Sequence, residues 1–406
     1  MHLGHGRAIL YARSSDVQPF RDVILDACLH CYSVDAQSEG TRADYMLELV
    51  DSLPDARFYR DEVLKALPGS GDDLDAAQRF RFAACMAMDG DERAKGTMYE
   101  NFEPGPAEGE GIAINFVQMD GLRGFLFAAS KFGSLFRSNP DAQLNGDWLL
   151  PQAFETCGEQ ETMAALRQAA LADPAIEAYL LKVEARAAKE KSAPHPIKEI
   201  DEFRALSYEQ LRPRLSGSRG RLRDWGKHAS DDELERAAHG LLSAQTPEEQ
   251  IQHLRIFAWR PFPLDPTRLT ELALSEDETL GRAAADALTQ ITHPSIRETA
   301  LRLIRDRLPG REHVIDMLSR NFESTDNDLV LSWFETESDP ETRHRMQMDL
   351  KKFWKDHPQP ASEVRMLHAV YETGPCSFCR EFVVKRLLEL DALSASMRAE
   401  CAFDAN

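Results

Sequence analysis

The sequence lacks a long apolar run, a secretory leader and a paired cysteine framework. Its most apolar stretches, such as Gly124–Ala129, fall far short of the roughly 20 residues of a membrane helix. The N-terminus has no basic region followed by an apolar segment, so no signal peptide is predicted. Seven cysteines, an odd number in 406 residues, argue against a disulfide scaffold and for reduced thiols. Together these absences predict a cytoplasmic protein that does not enter a membrane.

Positive charge and cofactor motifs are also scarce. The formal net charge is -20, so the surface as a whole repels nucleic-acid phosphates, and DNA binding would need a local exception. There is no phosphate-binding loop, dinucleotide-binding glycine motif, nucleophile elbow or zinc-protease helix. Common cofactor enzymes are therefore disfavoured. We assign no catalytic residue, metal or cofactor from the sequence.

What the sequence does contain is helical periodicity, clearest between Asp277 and Leu308. Two apolar stripes at helical spacing flank Pro294, which suits the first turn of the second helix. The first stripe comprises Leu280, Ala284, Ala287, Leu288 and Ile291, and the second Ile296, Ala300, Leu303, Ile304 and Leu308. Neither helix can bury its stripe alone, so stacking of like units is expected. Sustained β alternation is absent, and only Gly111–Val117 leaves helix and strand undecided.

The segment Leu280–Arg297 resembles a HEAT repeat of the bacterial type, similar to those of the phycobilisome-lyase-type proteins. Weaker relatives occupy 231–259, 265–274 and 326–406, and proline-led helices recur at spacings of about 35 to 46 residues. The resemblance implies an all-α fold, a HEAT-like right-handed α-solenoid built from antiparallel helix pairs.

Three segments are predicted along the chain. Residues 1–195 form an N-terminal helical domain, 196–230 a basic linker or helical connection, and 231–406 a HEAT-like repeat domain. A single continuous solenoid is the alternative. At the C-terminus, either the last helix closes the array or its exposed end meets a partner or a second copy of the chain.

The segment 212–228 is the strongest sequence candidate for anion binding. It carries six Lys or Arg residues against one Asp in an otherwise acidic chain. Its glycines and arginines could surround a phosphate, and its tryptophan could stack on a base. The alternative is an exposed linker whose arginines pair with neighbouring acidic residues. The residues concerned are Arg212, Arg214, Arg219, Arg221, Arg223, Trp225 and Lys227.

A second candidate cluster lies near the N-terminus. Asp22, Asp26 and His30 recur every four residues, which would place two carboxylates and an imidazole on one helix face beside Cys31. A solvated helix face has the same pattern. The pairs Cys28/Cys31 and Cys376/Cys379 show the spacing of zinc ligands, but both also continue apolar stripes and are interpreted as packing residues.

These observations favour a cytoplasmic scaffold that binds a protein or peptide through a curved helical surface. Two alternatives belong to other classes. HEAT-like alkylpurine DNA glycosylases suggest a nucleic-acid-directed protein that uses 212–228, and HEAT-like chromophore lyases suggest an enzyme-like site in the N-terminal half.

Overall fold

The computed structural model describes residues 4–34, 40–67, 73–104, 109–142, 148–192, 196–216, 218–357 and 360–405. Within these ranges every regular element is a helix and no strand occurs, which confirms the all-α prediction. The undecided segment Gly111–Val117 is helical as well. None of the described helices combines the length and apolar composition that crossing a bilayer requires.

The chain divides into two compact units. The first unit comprises residues 1–192, 376–381 and 393–406, and the second unit comprises 193–375 and 382–392. The second unit thus begins near the predicted boundary at 195, but it includes the segment 196–230. The final residues, which the sequence assigned to the repeat domain, belong to the first unit. Of the linker-like residues 192–196, positions 193–195 lie outside the described ranges.

The first unit is built from twelve complete described helices and parts of the chain end. They are α1 Arg7–Ser14, α2 Arg21–Leu29, α3 Ala43–Asp51, α4 Ala56–Ala66, α5 Asp73–Met88, α6 Glu92–Asn101, α7 Gly109–Asp120, α8 Leu122–Ser138, α9 Leu149–Cys157, α10 Glu159–Ala170, α11 Pro174–Ser192 and α25 Ala395–Cys401. In one row, α3 packs on α5, α5 on α7 and α7 on α9. The buried core contains an aromatic cluster that includes Phe102, Phe116 and Phe132.

Close helix approach in this unit depends on small residues. A Cβ atom at Gly133 of α8 would lie 1.7 Å from the carbonyl oxygen of Ala175 in α11. Only glycine fits there, because any larger residue would push the two helices apart. The backbones of α8 and α11 therefore lie in close contact at Gly133.

The two chain ends meet within the first unit. The carbonyl oxygen of Gly4 accepts hydrogen bonds from the amide of Ala405 at 2.9 Å and from the Arg380 guanidinium at 3.0 Å. Arg380 also pairs with Asp404 at 3.1 Å and is buried. The N-terminal segment also contacts the last described helix, α25, where Arg7 pairs with Glu400 at 3.0 Å.

The second unit contains the helices of the predicted repeats. They are α12 Pro196–Arg204, α13 Tyr208–Leu211, α14 Arg219–His228, α15 Asp231–Ser243, α16 Pro247–Leu254, α17 Thr267–Ala273, α18 Glu278–Leu288, α19 Pro294–Arg305, α20 Val314–Arg320, α21 Asp326–Thr336, α22 Pro340–Asp356 and α23 Pro360–Thr373. Helix α24, Ser377–Glu389, is shared between the units. Three short 3₁₀ helices lie at Arg212–Arg214, Arg255–Ala258 and Arg311–His313.

Alternate helices of the second unit pack on one another. Residues 255–258, which continue α16, contact α14, and α16 packs on α18, α18 on α20 and α20 on α22. We call α14, α16, α18, α20 and α22, with the 3₁₀ turns 255–258 and 311–313, the pocket layer. The other set, which we call the second layer, includes the neighbours α17–α19 and α21–α23. Helix pairs α15–α16, α17–α18 and α19–α20 connect the layers.

The pair α18–α19 shows how the sequence specifies this packing. The Asp277 carboxylate caps α18 by accepting from the amide of Leu280 at 2.9 Å, and Pro294 occupies the first turn of α19. Nearly all of the predicted stripe residues are buried, among them Leu280, Ala284 and Leu303. The apolar faces of both helices are therefore directed into the unit, and their polar faces are left to line its surface.

Candidate binding pocket

The pocket layer carries a cavity of about 410 Å³. Its walls come from α14, α16, α18 and α22 and from the turns 255–258 and 311–313, so consecutive members of one layer build it. Most of the side chains that line it are charged, and both signs are present. The arrangement can bind polar or charged groups.

One end of the pocket gathers arginines around a single carboxylate. Asp286 of α18 pairs with Arg219 at 3.5 Å and with Arg223, both from α14. Arg255 lines the same pocket as Arg219, and burial together with the charges of Arg219 and Arg223 lowers its pKa. We call Arg219 and Arg255, which line the pocket, and Arg223, which shares Asp286 with Arg219, the arginine end.

Carboxylates also line the pocket, and we call Glu278, Glu312, Asp339 and Glu341 the acidic wall. Arg282 of α18 bridges Glu278 at 3.2 Å and Glu312 at 3.0 Å. Asp339 caps α22 by accepting from the amide of Thr342 at 2.9 Å, and this hydrogen bond lowers its pKa. Glu341 follows at the exposed start of α22. The pocket therefore has a positive end and a negative wall.

A buried imidazole also lines the pocket. His313 is 7% exposed, and burial lowers its pKa, so the ring is neutral at pH 7. Its Nδ1 stands 4.0 Å from Asp286 Oδ1 and makes no hydrogen bond with any residue of the described ranges. Because the ring is neutral, this approach is not an ion pair.

Below the pocket, α20 and α22 hold a second acidic pair. Arg345 bonds Asp349 at 2.9 Å and Asp316 at 3.5 Å, and Lys352 lies 3.9 Å from Asp316. Asp349 is 9% exposed, and burial together with the charge of Asp316 raises its pKa to about 7. A carboxyl group that titrates at neutral pH thus lies next to the pocket-lining Arg345.

The structure disperses the residues of the basic segment. Arg219 and Arg223 face Asp286, whereas Arg221 points toward Glu199 at 3.8 Å. Arg212 and Arg214 are exposed in the 3₁₀ turn before α14. Helical spacing alone explains the separation, since residues two apart point to opposite sides of a helix.

The last two residues of the segment also have partners. The Trp225 indole is fully buried and donates from Nε1 to the carbonyl of Leu206 at 2.9 Å, so it presents no face for stacking. Lys227 places its ammonium 5.5 Å from the centre of the Trp259 ring. Aromatic packing and cation–π contact account for both residues.

The N-terminal cluster is only partly assembled. His30 bonds Asp75 at 2.7 Å, and its Nε2 lies 3.8 Å from Asp26. Cys31 contributes its backbone amide to Asp75 at 2.7 Å, and Asp22 is exposed on the surface of α2. Asp75 was not predicted as part of this cluster, because it comes from α5, 45 residues beyond His30.

The chemistry of this cluster is that of a helix end. Burial alone would raise the pKa of Asp75, but hydrogen bonds from His30 and from the Cys31 amide hold it below its ordinary value. Gln78, also from α5, donates to the carbonyls of Ala27 and His30 at 2.8 and 2.6 Å. These bonds satisfy carbonyl groups that α2 leaves open at its C-terminus.

The cysteines form no disulfide. All seven are free thiols, and Cys28, Cys85, Cys376 and Cys379 are buried. Burial raises the pKa of Cys28 to about 12, which keeps it protonated and unreactive. Cys376 accepts a hydrogen bond from the amide of Cys379 at 3.4 Å.

Of the residues that line the pocket, only Arg219 was predicted from the sequence as a binding residue. Arg255, Asp286, His313 and Arg345 come from four separate elements. A signal was present, because 219/223, 251/255, 278/282/286 and 341/345/349 each advance by four residues, one column per helix. Comparison of the chain with protein-family models, with curated proteins and with solved structures finds no match.

Proposed function

We propose that the protein is a cytoplasmic binding scaffold, that its second unit is a HEAT-like right-handed α-solenoid, and that the pocket layer binds a protein or peptide partner. The observation that carries the proposal is the pocket itself, because successive helices of one layer build it. Stacked helix pairs characteristically use such a surface for binding. The repeat-like segment Leu280–Arg297 supplies one pair of this stack.

Charge favours a protein partner over nucleic acid. The acidic wall, which includes Glu278, Glu312 and Glu341, would repel a run of phosphates. A polypeptide, by contrast, can present acidic and basic groups together. The mixed charges of the pocket suit such a segment.

Site-specific photocrosslinking in the native host tests this function. A benzoylphenylalanine in place of exposed Thr279 would report from the pocket, and one in place of exposed Glu298 on α19 would report from the second layer. We expect one reproducible protein adduct at position 279 and none at 298. Equal adducts at both positions, or nuclease-sensitive adducts alone, would reject the proposal.

A further inference from the structure

We propose that the arginine end binds the phosphoryl group of a phosphorylated side chain on the partner segment. The inference rests on the proposed function, since it names the chemistry that the pocket recognises. Arg219, Arg223 and Arg255 bring three positive charges, and Asp286 returns one negative charge. The excess of two matches a phosphoryl group, which carries a charge of about −1.5 to −2 near neutral pH.

Arg255 is the guanidinium whose charge is not met within the fold. It is half-buried, and its hydrogen bond goes to the neutral Gln252 side chain at 3.0 Å. No carboxylate of the described residues lies within salt-bridge distance of it, whereas its charged neighbours Arg219 and Arg223 repel it. An anion that enters the pocket offsets the repulsion between these like charges, so the charged form of Arg255 favours anion binding.

A buried polar group of the lining that has no partner among the described residues points the same way. His313, more than nine-tenths buried, lines the same pocket with an unpaired Nδ1. Guanidinium groups bind phosphoryl oxygens through two parallel N–H donors, so a compact tetrahedral anion can use several of these groups at once.

The rest of the pocket restricts the source of the phosphoryl group. Glu278, Glu312 and Glu341 belong to the acidic wall, which disfavours the binding of polyanions. The same residues favour a phosphorylated residue that has basic neighbours in the partner sequence. A single phosphorylated side chain places one dianion at the arginine end and leaves the acidic wall to flanking lysines or arginines. A nucleic-acid backbone carries phosphates along its whole length, so it cannot place one phosphate at the arginine end without bringing others to the acidic wall.

The test uses the full chain and degenerate peptide libraries centred on phosphoserine or on serine, with affinities from fluorescence anisotropy. We expect the phosphoserine library to bind at least about tenfold more tightly, and Arg255→Gln to remove that difference. Arg268→Gln is the matched control, because Arg268 lies on α17 outside the pocket and pairs with Glu271. It should leave the preference unchanged.

Stability measurements separate binding from folding. Because Arg255 faces like charges, Arg255→Gln should unfold at the same or a higher urea concentration than the parent chain. Equal affinity for the two libraries, or a phosphoserine preference that survives Arg255→Gln, would overturn the inference. So would inorganic phosphate or single-stranded DNA binding as tightly as the phosphoserine library.

Phosphatase treatment distinguishes this inference from the proposed function. If the adduct at position 279 disappears after the host extract is dephosphorylated, both stand. If the adduct persists, the phosphoryl inference fails and the partner-binding function remains.

Discussion

At the scale of single residues, the pocket depends on charges that the fold only partly neutralises. Asp286 serves two arginines and stands beside a neutral histidine, while Arg255 is left with a neutral partner. Such an arrangement costs stability, because like charges are held together in a partly dehydrated site. Sites of this kind are characteristic of binding surfaces.

Asp349 should make folding stability depend on pH near neutrality. Its pKa in the folded chain, about 7, exceeds the value of about 4 expected when the chain is unfolded. The folded state therefore holds the proton more tightly, and this group's contribution to the free energy of unfolding falls as pH rises from about 4 to 7. Asp349→Asn removes the titration, so its urea-unfolding free energy should fall less between pH 5 and 7.5.

The control for this prediction is Asp306→Asn. Asp306 is paired with Arg305, which lowers its pKa, so it does not titrate above pH 5 in either state. Its pH profile should run parallel to that of the parent chain. A parallel profile for Asp349→Asn as well would show that Asp349 is ionised throughout this range.

Residue patterns in the sequence located charges but not their partners. Asp22 and Asp26 lie on α2, but His30 is the extended residue that follows this helix, and the carboxylate that bonds it is Asp75 on another helix. Trp225 stands among arginines in sequence, but its helical position turns the indole into the core. Neither outcome follows from local spacing, because each depends on which helix packs alongside.

At the scale of helices, the sequence was informative wherever capping and periodicity agree. The stripe from 280 to 291 became α18 and the proline-led segment became α19. Pro174 likewise begins α11, which follows α10.

Helix α14 provides a test of close packing in the second unit. A Cβ atom at Gly226 would lie 1.9 Å from the carbonyl oxygen of Ile256, so Gly226→Ala must displace the turn 255–258. We expect a loss of about 1–3 kcal/mol in unfolding free energy by urea denaturation. Phosphoserine binding should weaken too, because Arg255 begins that turn.

The same helix offers a control of opposite sign. No atom lies within 4 Å of a Cβ built at Gly220, so Gly220→Ala should stabilise the chain by up to about 1 kcal/mol through helix propensity alone. If both substitutions stabilise the chain, α14 and the turn 255–258 are not packed as described.

At the scale of the whole molecule, the sequence predicted the class of fold better than the division of the chain into two units. Local periodicity sufficed for an all-α chain, but the inclusion of residues 393–406 in the first unit depends on contacts such as Arg380–Asp404 and Gly4–Ala405. The two chain ends that meet there are almost 400 residues apart. No local pattern records such pairing.

The pocket was missed for a related reason. Helices α14, α18 and α22 of the pocket layer each carry a column of charges four residues apart, and a single column is indistinguishable from an ordinary solvated face. Only the stacking of α18 beside α16 and α20 brings the columns together. A resemblance to stacked repeats indicated that some surface would be shared, without saying which residues form it.

The central claim, that a partner binds through the pocket layer, is tested most directly by hydrogen–deuterium exchange on the full chain with and without the partner captured at position 279. The account predicts slower amide exchange in α14, α18 and α22 and in the turn 311–313, with α19 and α21 unchanged. Slower exchange confined to α19 and α21, or to the helices of the first unit, would contradict it.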